Sequence, residues 1–200
     1  MNFINSLHNN INIPLLWYLN SFTQNETIST IVYTMADAPI FLLPIFLLVY
    51  WFYFQSKKDV DGKKKLLFIF YSAIIAIVIS SMIQIFVDID RPEKSLEWAW
   101  KLILDHIPDA SFPSDHASVG IAFLSSLFLF WFYKAGLIIF PFFIVMLISR
   151  VAGWVHWPLD ILAGSIVWII SSFIVYKSQN LTIFKKINWC ILKIASYFKL

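Results

Sequence analysis

Two arginines, two histidines and an aspartate stand at spacings that suit phosphate chemistry. Arg91 and Arg150 are the only arginines in a chain that carries thirteen lysines. A guanidinium grips phosphate oxygens through a planar fork that never loses its charge, and inside a membrane it costs about 3 kcal/mol or more. Both arginines border apolar runs, where snorkelling to the interface is the competing explanation. That explanation leaves open why arginine is used nowhere else. The run Ser111-Phe112-Pro113-Ser114-Asp115-His116 precedes a third apolar stretch. Pro113 and Ser114 suit a helix start, where unpaired N–H groups and the macrodipole form an anion site, with Ser114 adding a hydroxyl and His116 just inside. A third cluster is Ser149-Arg150, then His156, then Asp160. Pro158 suits a first helical turn, so Asp160 falls near that helix's start and His156 in the turn before it. There an aspartate can hold the imidazole in one tautomer while the other ring nitrogen attacks.

The elements that must position these groups are membrane helices. Sixty per cent of the 200 residues are hydrophobic, 18% are aromatic and 14% charged, with a mean hydropathy of +0.74. This is far more apolar than a soluble domain. Apolar runs near 37–54, 66–87, 117–133, 136–154 and 158–176 approach or reach the length of a crossing, roughly 17 to 25 residues. The expected fold is therefore an all-α integral membrane protein with a bundle of about five transmembrane helices and interfacial helices beside it. The patch from Ile13 to Phe22 is interrupted by Asn20 and is too short to cross, so residues 1–36 read as an interfacial segment. Lys57, Lys58, Lys63, Lys64, Lys65, Lys134 and Lys177 all fall on one side of a five-span chain, which marks that side as cytoplasmic. Both arginines and both site histidines fall on the other. The net charge of +3 fits basic loops and gives no indication of nucleic acid. The lone Cys190 offers no intrachain disulfide.

Residues 177–200 place Phe184, Ile187, Cys190, Ile191 and Ile194 at helical spacing with lysines opposite, as in a basic amphipathic helix on an anionic leaflet. Between Arg91 and Pro113, Leu96, Trp100, Leu104 and Ile107 share one helical face. The reading is a surface helix with Trp98 and Trp100 at headgroup level, either roofing the lipid's way in or simply anchoring. His106 and His8 read as ordinary exposed polar residues. Asp88 and Asp90 could attract magnesium, but two carboxylates are few ligands for a hard cation, so no metal and no cofactor are expected.

The three clusters resemble the type 2 phosphatidic acid phosphatase superfamily, whose signature runs Lys-x6-Arg-Pro, Pro-Ser-Gly-His and Ser-Arg-x5-His-x3-Asp. The resemblance spans roughly residues 37–176. Its third block is complete in Ser149, Arg150, His156 and Asp160. Two positions depart: Gln84 stands for the lysine of the first block, and Asp115 for the glycine of the second. Together with the run Asp-Ala-Ser-Phe-Pro-Ser-Asp-His, these departures look like the bacitracin-resistance type of undecaprenyl-diphosphate phosphatase. The resemblance implies a helical bundle shared with vanadium haloperoxidases and a membrane lipid phosphate as substrate. It also implies His156 as nucleophile, His116 as proton donor, Asp160 as orienting group, and Arg91, Arg150 and Ser114 as phosphate ligands. Gln84, Lys94 and Asp115 are further candidates for the phosphate pocket. Phosphatidate, phosphatidylglycerol phosphate or lipid A phosphate are alternative substrates, and a non-catalytic lipid-binding or lipid-moving protein is the alternative of another class.

Overall fold

The structure, a computed structural model, describes residues 6–95 and 110–198. The expected surface helix with Trp98, Trp100 and His106 lies outside the described residues. Every regular element among the described residues is helical: α1 (Ile13–Ser21), α2 (Glu26–Met35), α3 (Leu42–Lys57), α4 (Val60–Phe86), α5 (Asp115–Leu129), α6 (Tyr133–Ala152), α7 (Pro158–Lys177) and α8 (Thr182–Tyr197), with a single helical turn at Pro92–Ser95. The chain is an all-α membrane protein, and four stretches are long and apolar enough to cross: Glu26–Lys57, Val60–Phe86, Tyr133–Ala152 and Pro158–Asn180. The first of these begins before residue 37, because α2 runs through a 3-10 turn at Ala38–Phe41 into α3. The stretch expected at 117–133 corresponds to α5. Its 15 residues rise only about 22 Å, against a hydrocarbon core of roughly 30 Å.

Local chemistry sets the turns at one end of the bundle. Lys58 adopts a left-handed φ of 54° and stops α3, and Asp59 then caps α4 by accepting from the Gly62 N–H at 2.9 Å. With helices this closely joined, the lysines at the ends of α3, α4, α6 and α7 gather at that end. The short helix α5 lies at the centre, packed against α4, α6 and α7. Small residues permit this: a Cβ on Gly120 would come within 2.5 Å of the Phe143 ring, so α5 and α6 meet this closely only with glycine there. On its other side, Gly164 of α7 faces Ala117 and the Ser114 carbonyl. The apolar core between these helices includes Phe46, Phe68, Ile69, Phe123, Leu127, Phe143 and Met146.

The other end is built differently. Helix α1 lies over the turn between α6 and α7, with Leu16 buried among Val151, Trp154 and Trp157. Asn20 donates to the Ala152 carbonyl at 2.8 Å, and Asn12 accepts from the Leu159 N–H at 3.0 Å. Thus α1 and the residue just before it satisfy one orphan group at the end of α6 and another at the start of α7. His8 stands edge-on to Trp157, ring centroids 4.5 Å apart, and is half-buried rather than simply exposed.

Candidate active site

The carboxyl ends of α4 and α6, the amino ends of α5 and α7, and the turn before α3 converge at the end of the bundle away from the clustered lysines. This end holds the three sequence clusters. Arg91, Arg150 and His156 are at most 2% exposed, and Asp160 and Ser114 are buried with them.

His156 lies in the turn Gly153–Trp157, bent by a left-handed Trp154 with φ 66°. That conformation is costly for a non-glycine residue and is held here by a fully buried indole. The Arg150 carbonyl accepts from the N–H groups of both Val155 and His156, at 3.1 and 3.2 Å, which ties the turn to the end of α6. Arg91 Nη1 reaches His156 Nε2 at 3.2 Å and the Val155 carbonyl at 2.9 Å. A guanidinium only donates, so Nε2 presents its lone pair and Nδ1 carries the proton. Nδ1 lies 3.0 Å from the Ser111 carbonyl, which accepts that proton's hydrogen bond. Burial, followed by repulsion from Arg150, Arg91 and His116, holds the imidazole well below its ordinary value of 6.5, so it is neutral at pH 7.

Asp160 Oδ2 is 3.8 Å from His156 Nδ1, beyond hydrogen-bond reach. It instead accepts from the Trp157 N–H at 2.9 Å and from the Ser111 hydroxyl. Asp160 is therefore linked to the imidazole through Ser111, which donates its hydroxyl to the carboxylate and accepts from the ring with its carbonyl. Ser111 belongs to the second cluster, but nothing in its local pattern marks it as the histidine's partner.

Arg150 Nη1 donates to Asp37 Oδ1 at 2.6 Å, and His116 Nε2 lies 2.9 Å from the same oxygen. Asp37, in the turn before α3, lies outside all three sequence clusters. Its signal is that it is the only acid between Glu26 and Asp59, beside a long apolar run. Ala36 packs on Val155, which seats this turn against the His156 loop.

Ser114 caps α5, its hydroxyl oxygen 3.4 Å from the Ala117 nitrogen. Gln84 Nε2 donates to the Pro113 carbonyl and to Asp115 Oδ1, both at 3.0 Å, and the Ser80 hydroxyl donates to the same carboxylate at 2.5 Å. Gln84 and Asp115 are thus joined to each other. Lys94 is exposed on the helical turn after Arg91. Among the described residues, no group of three or more His, Cys, Asp or Glu side chains could hold a metal ion.

The chain is similar in sequence and in fold to known proteins. The chain is 28% identical to a bacitracin transport permease protein, BcrC, of Bacillus licheniformis, over 83% of this chain and 79% of that one. It is 27% identical to the undecaprenyl-diphosphatase BcrC of Bacillus subtilis, over 78% of each. The crystal structure of Aquifex aeolicus LpxE superposes with a TM-score of 0.67, at 22% identity, over 83% of this chain and 94% of that one, and shares its fold. The PAP2 superfamily model matches residues 65–183, more than half of the sequence and all three clusters. The chain therefore belongs to the PAP2 superfamily and is a membrane phosphatase acting on a lipid phosphate.

Proposed function

We propose that this phosphatase removes the terminal phosphate of a polyprenyl diphosphate through a phosphohistidine on His156, at the non-cytoplasmic face of a five-span protein. The observation that carries the mechanism is the Arg91–His156 pair. It leaves a neutral imidazole with its Nε2 lone pair directed at a guanidinium suited to a phosphate oxygen.

On substrate binding, Arg91 transfers its donor from Nε2 to the phosphate and frees the nucleophile. Nε2 then attacks the terminal phosphorus in line, the bond from phosphorus to the bridging oxygen breaks, and His116 gives that oxygen a proton. Polyprenyl monophosphate leaves. Water next attacks the phosphohistidine while His116 takes its proton, which releases inorganic phosphate and restores His156. Arg91 and Arg150 stabilise the equatorial oxygens, and the α5 amino end capped by Ser114 adds its dipole. The scheme needs no metal. The substrate assignment is supported by the name of the Bacillus subtilis relative and by the departures Gln84 and Asp115. The membrane face is supported by the lysines at the opposite end.

The test is phosphate release in detergent with chelator present, comparing undecaprenyl diphosphate with phosphatidate for the wild type and His156→Ala. The expected result is release from the diphosphate that disappears in the variant. Preference for phosphatidate would refute the substrate, and activity lost to chelation but restored by magnesium would refute the metal-free scheme.

A further inference from the structure

Arg150 and His116 belong to different helices, α6 and α5, yet both contact one carboxylate oxygen. Asp37 Oδ1 lies 2.6 Å from the guanidinium and 2.9 Å from the imidazole, distances at which each would also hold a phosphate oxygen. The three partners are unequally enclosed. Arg150 is 2% exposed in the last turn of a twenty-residue helix, and His116 is 23% exposed in the first turn of α5. Asp37 is 52% exposed and precedes a single 3-10 turn. Of the three groups, the carboxylate is the least enclosed by the protein.

The geometry points to Asp37 as a positioning residue that stands in for the substrate phosphate in the resting site. It holds Arg150 and His116 on a shared anionic oxygen and yields that place when the lipid phosphate arrives. This inference rests on the proposed reaction, since it takes Arg150 as a phosphate ligand and His116 as the proton donor. Two effects follow from one contact. The carboxylate presets the two groups at a common point, so less of their side-chain freedom is lost when substrate binds. It also competes with every incoming anion, so it weakens the binding of substrate and of product phosphate alike. His116 has an N–H on Nε2 in this contact, because a carboxylate only accepts. That N–H is then aimed where the leaving oxygen must receive its proton. A site that discharges inorganic phosphate after each turnover benefits from an internal anion ready to take its place.

The experiment measures competitive inhibition by inorganic phosphate, and KM and kcat separately, for the wild type, Asp37→Asn, Asp37→Ser and Asp37→Glu. Thermal unfolding in detergent identifies any variant that has lost its fold. With the competing charge removed, Asp37→Asn and Asp37→Ser are expected to bind phosphate about tenfold more tightly or better, with KM and kcat falling together. Asp37→Glu, which keeps the charge, is expected to restore wild-type sensitivity. Phosphate inhibition that is unchanged or weaker in folded Asp37→Asn or Asp37→Ser would overturn the inference. Such a result is the one expected if the aspartate merely steadied Arg150. Binding of inorganic phosphate is also titrated by calorimetry in His156→Ala and His156→Ala/Asp37→Asn, which needs no turnover. Equal affinity there refutes the role of Asp37 alone, whereas hydrolysis persisting in His156→Ala refutes the histidine mechanism alone.

Discussion

Gln84 donates through Nε2 to Asp115 Oδ1 at 3.0 Å, so the two positions that depart from the family signature touch each other. A lysine has become a neutral donor and a glycine has become its acceptor. A glutamine bound in this way braces the Pro113–His116 segment and gives the pocket no positive charge. The substitutions Gln84→Ala and Asp115→Ala should therefore be non-additive in kcat/KM, with a coupling of about 1 kcal/mol in a double-mutant cycle. If the Gln84 amide instead served the phosphate, Gln84→Ala would cost as much in the Asp115→Ala background as in the wild type.

Ser111 is the intermediary between Asp160 and His156. Ser111→Ala keeps the carbonyl that fixes Nδ1 but removes the hydroxyl held by Asp160. We expect kcat to fall roughly tenfold with KM little changed, a smaller loss than for His156→Ala. Steady-state kinetics of the two variants provide the comparison, and an equal loss would give the hydroxyl a larger part than positioning.

The neutral state of His156 gives a pH signature. Burial first, and then the neighbouring cations, hold its imidazole well below 6.5, so the acid limb of kcat/KM should lie below that value. Arg91→Gln removes one repelling charge and should move the limb to higher pH while burial keeps it below the ordinary range. The pH–rate profile is the readout, and its position matters here, since its height also falls with the loss of a phosphate ligand. Stability follows the same group. The unfolded chain binds a proton near pH 6.5, where the folded chain does not, so this term weakens folding as pH drops below 6.5 and levels off below the folded value.

Asn20 and the Ala152 carbonyl form a buried bond between α1 and the end of α6. Asn20→Leu leaves that acceptor unpaired and should destabilise the protein by about 1 to 3 kcal/mol. A lowered Tm in detergent, together with reduced kcat from a loosened His156 turn, is the expected outcome. An unchanged Tm would mean that water replaces the amide.

Much of this protein is written locally. The apolar runs, the lysines at alternate ends and the block from Ser149 to Asp160 are contiguous patterns, and helix length, charge asymmetry and cap chemistry act over a few residues. They determined an all-α membrane bundle and gathered Arg91, His116, Arg150, His156 and Asp160 at one end. The finer contacts depend on how helices far apart in sequence meet. Asp37 reaches Arg150 across 113 positions, Asn12 reaches Leu159 across 147, and Gln84 reaches Asp115 across 31. A lone polar residue in an apolar stretch has no period that names its partner, because its cost in the membrane is relieved only by whichever group the packed helices bring to it. Tertiary structure alone decided that Ser111 intervenes between Asp160 and His156, that Gln84 meets Asp115, and that Asp37 occupies the space between Arg150 and His116.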